Sequence, residues 1–257
     1  MSNFCLGRFS RFYFLQTKDK ILLFQFNGLE IPIYSGMSIP GSDAYILGLT
    51  ALSGDRGPAI YRAQLGYPGQ PIGLHQALVA PSTNDGLRVY AMTGAAVPGA
   101  VPGAVSGTVF AGGFAGIERN SANRYGDFVF SASMMGGDSN TANYSAIWYA
   151  PHDEAVQMVV RMSNPSPISG LNYSVLGGLY SYPFIYLSDE GDIFFNASVA
   201  GAGVLDINRS AIFRIRDNVH TLIARIGVPM NGLPSGVTLS NSNQSFGNMV
   251  RRLLRGV

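Results

Sequence analysis

Asn123-Arg-Tyr-Gly126-Asp-Phe-Val-Phe-Ser-Ala132 is the stretch on which the fold reading turns. Asparagine three residues before glycine makes a tight turn, because the amide bonds its own backbone and glycine takes positive φ without a Cβ clash. The short apolar run that follows reads as a strand whose aromatic side chain enters a core. Two other segments share the layout: Asp55-Arg-Gly57-Pro-Ala-Ile-Tyr-Arg-Ala63 and Ser188-Asp-Glu-Gly191-Asp-Ile-Phe-Phe-Asn-Ala197. In all three an aromatic stands four residues after the glycine and an alanine six after it.

The similarity continues outward. Twenty residues after each glycine comes a second apolar block, Ala77-Leu-Val79, Ala146-Ile-Trp148 and Ala211-Ile-Phe213. A third block follows 16 or 17 residues later, as Gly94-Ala-Ala-Val-Pro98, Ser163-Asn-Pro165 and Gly227-Val-Pro229, with Arg161 and Arg225 two positions ahead of the last two. Gly36-Met-Ser-Ile-Pro40 has the same shape. The unit is therefore 65 to 69 residues. Its divisions are 1–36, the C-terminal half of a unit; 37–99, 100–167 and 168–232, three repeats; and 233–257, a partial repeat and tail, all in one domain. Three or four short strands per unit, with no sustained helical period, predict an all-β, propeller-like array of about four antiparallel blades. An open β-solenoid or a piece of a larger propeller satisfies the same spacing.

Composition narrows the functional classes. The chain is 47% hydrophobic and 12% charged, which excludes a disordered polyelectrolyte. Three of the 17 basic residues fall in the last seven positions, and without them the 15 acidic residues leave a net charge of −1. No basic face for nucleic acid is implied. Residues 91–117 carry no charge, but nine of them are glycine or proline, which argues against a spanning helix. Cys5 is the only cysteine, so an intrachain disulfide and a multi-cysteine metal site are excluded. The first twenty residues lack an apolar run ending in a small-residue cleavage site and do not read as a signal peptide.

The turn Asn123–Gly126 with Phe130, followed by Ser145-Ala-Ile-Trp148 and the Val160-Arg161 block, is similar to bacterial tandem-repeat proteins named for an N-x-x-G-x-x-A-F motif. Val129 stands where that motif has alanine, and the asparagine position is Gly54 and Ser188 in the other copies. The resemblance implies a propeller-like, extracellular or surface protein without an established enzymatic role. Within it Asp55, Gly57, Asn123, Gly126, Asp189 and Gly191 are turn-forming scaffold. Ser53-Gly-Asp55-Arg-Gly57 also resembles the Asp-box of sialidases, a hairpin turn remote from catalysis, with Ile60 in place of the aromatic.

Candidate chemistry is sparse. Arg161 and Arg225 occupy one repeat position and are candidates for a ligand carboxylate, with an ion pair per blade as the structural alternative. Trp148, Tyr149, Tyr180 and Tyr182 are candidate sugar-stacking aromatics, against a core or girdle role. Asp153-Glu154 and Asp189-Glu190 are the neighbouring carboxylates that glycoside hydrolysis would need, but both sit in predicted turns. His75, His152 and His220 show no metal-ligand spacing and fall in predicted loops. Asp138-Ser-Asn140 and Asp206-Ile-Asn208 read as Asx turns rather than calcium loops. The expectation is a non-enzymatic protein without metal or cofactor that presents loops to a carbohydrate or protein ligand. A sialidase-like hydrolase and a purely structural subunit associating through strand edges are the alternatives.

Overall fold

The structure is a computed structural model, which describes residues 5–9, 12–16, 21–25, 33–229 and 238, apart from 54–58, 71–72, 74, 83–85, 99–106, 116–120, 153 and 177–183. Asp55, Gly57, Asp153, Tyr180 and Tyr182 lie outside the described residues.

The described chain is all-β, its strands gathered in chain order into antiparallel sheets. An N-terminal sheet holds β1 (Cys5–Phe9), β2 (Phe12–Gln16) and β3 (Ile21–Gln25). Sheet 1 is the meander β4 (Tyr45–Ser53), β5 (Ile60–Gly66), β6 (Gln76–Ser82) and β7 (Gly86–Met92). Sheet 2 repeats it with β8 (Val109–Ala115), β9 (Phe128–Met135), β10 (Ser145–Ala150) and β11 (Gln157–Arg161). Sheet 3 comprises β12 (Leu171–Leu176), a short β13 (Ile185–Leu187), β14 (Ile193–Gly201), β15 (Ser210–Arg216) and β16 (Val219–Arg225). The uncharged stretch 91–117 supplies a link and β8, and among the described residues no helix is long and apolar enough to cross a membrane.

Side chains alternate between faces along a strand, so a sheet covered on both sides needs apolar residues at consecutive positions. Sheet 2 shows this. Phe128, Phe130, Trp148 and Ala150 cluster with Leu78, Ala80 and Tyr90 of sheet 1, and Tyr90 meets Phe128 edge-on at 4.5 Å between ring centroids. Val129, Ile147 and Val160 cluster instead with Tyr173, Phe195 and Phe213 of sheet 3. A third cluster joins Tyr61, Leu65 and Val79 of sheet 1 to Ile33 and Ile39. Each aromatic so buried contributes about 1.5–3 kcal/mol of transfer free energy.

The links between sheets are the same device each time. Each link turns at a residue with positive φ, Gly36 (91°), Gly94 (84°), Ser163 (71°) or Gly227 (74°), the last three standing two positions after β7, β11 and β16. In three of them that residue's N–H donates to the first strand of the next sheet, at Ile46 (2.7 Å), Phe110 (2.8 Å) and Tyr173 (2.7 Å). A β-bridge then follows in all four: Ser38–Tyr45, Ala96–Val109, Pro165–Asn172 and Pro229–Thr238.

The irregularities repeat too. An extra residue bulges at a matching place in the first strand of each repeat sheet (Leu47, Ala111, Ser174), with a second shift further along β4 and β8, and one bulges from the last strand (Tyr90, Val159, Ile223).

Gly136, at the end of β9, has φ 73°, and an added Cβ would lie 2.6 Å from the Gly107 carbonyl oxygen. Gly136→Ala is therefore expected to cost more than about 2 kcal/mol, left-handed strain plus a backbone collision. Gly41→Ala, at φ 72° with nothing within 4 Å, should cost only about 1 kcal/mol. Urea unfolding of the two variants would separate these contributions, and equal costs would contradict the contact.

Candidate functional site

The turn that opens β9 closes through its first and last residues. Asn123 Oδ1 accepts the N–H groups of Tyr125 and Asp127, both at 3.0 Å, and its amide donates to Asp127 Oδ2 at 2.9 Å. Gly126 sits at φ 93° and donates to the Asn123 carbonyl. Sheet 3 builds the same turn with Ser188, whose Oγ accepts from Asp192 N–H at 3.1 Å, and with Gly191 at φ 85°. The conserved acid of the two turns is used differently. Asp192 is ion-paired with Arg216, whereas Asp127 accepts the His152 N–H at 2.8 Å and bonds the Tyr149 hydroxyl. Burial, reinforced by Asp127, pushes that hydroxyl up to about 12.

Neighbouring sheets are tied at this end of the strands. Arg124 N–H donates to Asp189 Oδ1 at 3.1 Å, and Ser121 Oγ donates to the Ile185 carbonyl at 3.1 Å. Arg88 of β7 donates to the Pro151 and Glu154 carbonyls of sheet 2. The pair Asp189-Glu190 is thus a turn in which one carboxylate caps the adjacent turn, and Glu154 is an exposed loop residue.

At the opposite end, Arg161 and Arg225 perform one task in two sheets. Arg161 Nε donates to the Asn143 carbonyl at 3.0 Å, and Arg225 Nε to the Asn208 carbonyl at 2.7 Å. Each asparagine in turn closes the hairpin loop before it. Asn143 Oδ1 accepts from Asn140 N–H at 2.7 Å and its amide donates to the Asp138 carbonyl at 3.1 Å. Asn208 repeats the pair with Leu205 N–H at 2.8 Å and the Gly203 carbonyl at 3.5 Å. Arg161 adds a bidentate ion pair with Asp138 at 2.9 and 3.0 Å, the fork geometry that suits guanidinium and carboxylate. Met92 stands at the arginine position in sheet 1, where its partner strand residue is again an alanine.

These positions correct two expectations. Arg161 is 6% exposed and spends its donors on its own loop, so it does not offer a guanidinium to a ligand. Trp148 is fully buried between Phe110 and Phe130, so neither indole face is open to a sugar. Arg225 is half-buried and bound to Asn208. The acidic Asx segments also close on themselves: Asn140 Oδ1 accepts Ala142 N–H at 2.8 Å, and Asp206 pairs with Arg209 at 3.0 Å. Among the described residues no three His, Cys, Asp or Glu side chains are grouped as a metal would need.

The histidines part company. His75 lies edge-on to Tyr67, and His152 is exposed on a loop. His220, expected in a loop, belongs to β16 and meets the Tyr173 hydroxyl at 2.9 Å. Sequence reasoning missed Asn143 and Asn208 as the residues that close these loops, yet their 65-residue spacing inside the repeat marks them as partners of the two arginines.

A family model described as a family of unknown function (DUF7453) matches residues 27–249. No curated protein matches, and no solved structure does.

Proposed function

The chain belongs to the DUF7453 family, whose function is unknown, and from that premise we propose that it is a non-enzymatic, propeller-like repeat protein that presents loops to a glycan or protein ligand at a cell surface. The observation that carries this reading is the double clamp at Arg161 and Arg225. Two hairpin loops share one set of side-chain-to-backbone hydrogen bonds and differ in what they expose. Asn140, Thr141 and Ala142 tip the first; Leu205, Asp206 and Ile207 tip the second, with Leu205 60% and Ile207 68% exposed. A fixed frame with variable tips lowers the ordering cost of binding and leaves specificity to the side chains, as in other binding loops on rigid scaffolds. The surface location follows from the tandem-repeat resemblance.

The reading is tested by screening the purified chain on a glycan array. A hit weakened at least about tenfold by Leu205→Ser/Ile207→Ser, or by Tyr180→Ala/Tyr182→Ala, with unchanged melting temperature, supports it. An array without hits removes the glycan version. A hit indifferent to both double variants removes the loops as the binding surface.

A further inference from the structure

His220 stands three residues before the bulge of its strand, as Val156 does in sheet 2 and Leu87 in sheet 1. Both of those are buried and apolar. Tyr173 likewise stands where Phe110 and Ile46 stand, on the residue that accepts the link-turn N–H. Two core positions that are apolar in the other repeats are thus polar in one repeat only, and in that repeat they meet at 2.9 Å.

The pair spans sheet 3, from β12 to β16. Tyr173 lies against Phe195 and Phe213 of its own sheet, in the cluster shared with sheet 2. The His220 ring bonds the carbonyl of Val159, the bulged residue of β11. A bulge leaves its extra residue outside the ladder, so that carbonyl is available to a neighbouring sheet. A carbonyl only accepts, so the ring nitrogen facing it carries the proton, and Nδ1 accepts from the Tyr173 hydroxyl.

From this geometry we infer that Tyr173 and His220 form an acid-sensitive latch across sheet 3, tying β12 to β16, closed while the imidazole is neutral and released when it is protonated. Protonation turns Nδ1 from acceptor to donor. The hydroxyl must then rotate to accept, and its own proton loses its partner in an apolar layer, beside a new cation. The groups facing the ring supply no counter-charge. β12 contributes the Tyr173 hydroxyl, β11 the Val159 carbonyl, and β15 Phe213 and Ile215. Nearby charges are otherwise placed: Asp192 is paired with Arg216, and Asp217, Glu154 and the ring of His152 lie on exposed loop residues.

Burial holds the imidazole below its ordinary value of 6.5, only partly offset by the Val159 carbonyl. The unfolded chain therefore binds this proton at a higher pH than the folded chain. The contribution to stability is present above about pH 6.5 and is lost as pH falls below it.

The test is thermal unfolding at about pH 7.5 and about pH 5, with hydrogen exchange at both. The wild type should melt a few degrees lower in acid, with faster exchange in β12 and β16. Tyr173→Phe/His220→Val, which installs the residue types that sheet 2 carries at these positions, Phe110 and Val156, should lose most of that difference. An undiminished difference in the double variant overturns the latch. If the double variant does not fold, an NMR titration of the wild-type His220 ring decides: protonation below the ordinary value supports the inference, and protonation at or above it overturns it.

Discussion

Replacing Trp148 with alanine is expected to destabilise the chain by about 3–5 kcal/mol, a large share of the roughly 5–15 kcal/mol by which a domain is stable. The indole is fully buried in the layer between sheets 1 and 2, its ring edge-on to Phe110 at 5.0 Å and stacked over Phe130 at 6.5 Å. Truncation removes the apolar contact and leaves a cavity on the central strands, where neighbours held in two hydrogen-bond ladders cannot collapse into it. Trp148→Phe should cost less than about 1.5 kcal/mol, because Phe213 fills the same place in sheet 3 and the indole N–H has no hydrogen-bond partner to lose. Circular dichroism is the readout for both variants, since Trp148 is the only tryptophan. A Trp148→Ala midpoint within about 1 kcal/mol of wild type would place the residue outside the core.

The second large effect is expected at Arg161. Arg161→Met introduces the residue that sheet 1 carries at this position and should cost about 2–4 kcal/mol. Its guanidinium side chain is 7% exposed and that of Asp138 is 27% exposed, so the loss leaves a carboxylate without its cation in a place only partly reached by water. The Asn143 carbonyl loses its donor at the same time. Asp138→Gly should be milder, because the loop of sheet 3 closes with Gly203 at that point and keeps its arginine-to-carbonyl bond. Urea unfolding of both single variants and the double gives the coupling, expected at about 1–3 kcal/mol, with faster amide exchange confined to 138–144. A coupling near zero would mean that the loop stands without the clamp.

The architecture was legible because a turn, an aromatic and a small residue recur at constant spacing. Gly126 and Gly191 announce turns in any context, and Phe130 and Phe195 follow them at the same interval into successive layers of the core. Roles were harder to read. Trp148 and Ile147 are adjacent and both buried, because β10 is covered on its two faces, and alternation cannot then say which side chain is outside. The common repeat position of Arg161 and Arg225 was visible, but their target is a loop carbonyl 17 or 18 residues earlier. Reaching it depends on how the bulges at Val159 and Ile223 aim the end of the strand, which composition does not encode. His220 read as a loop residue because its strand begins at the two-residue turn Asp217-Asn218, one position before it. Comparison across repeats, rather than a motif search, is what exposes it as the departure from Leu87 and Val156.

The same bulges bear on a hazard that every open β-sheet carries. A strand with an unpaired flank is a template on which another extended chain can grow, and regular, flat flanks are the ones that seed cross-β fibres. In each repeat sheet the first and the last strand carry an extra residue, so an incoming chain would lose register after a few hydrogen bonds on either flank. A protein with strongly apolar strands thereby denies amyloid growth a long in-register track, and it does so through backbone geometry rather than charge.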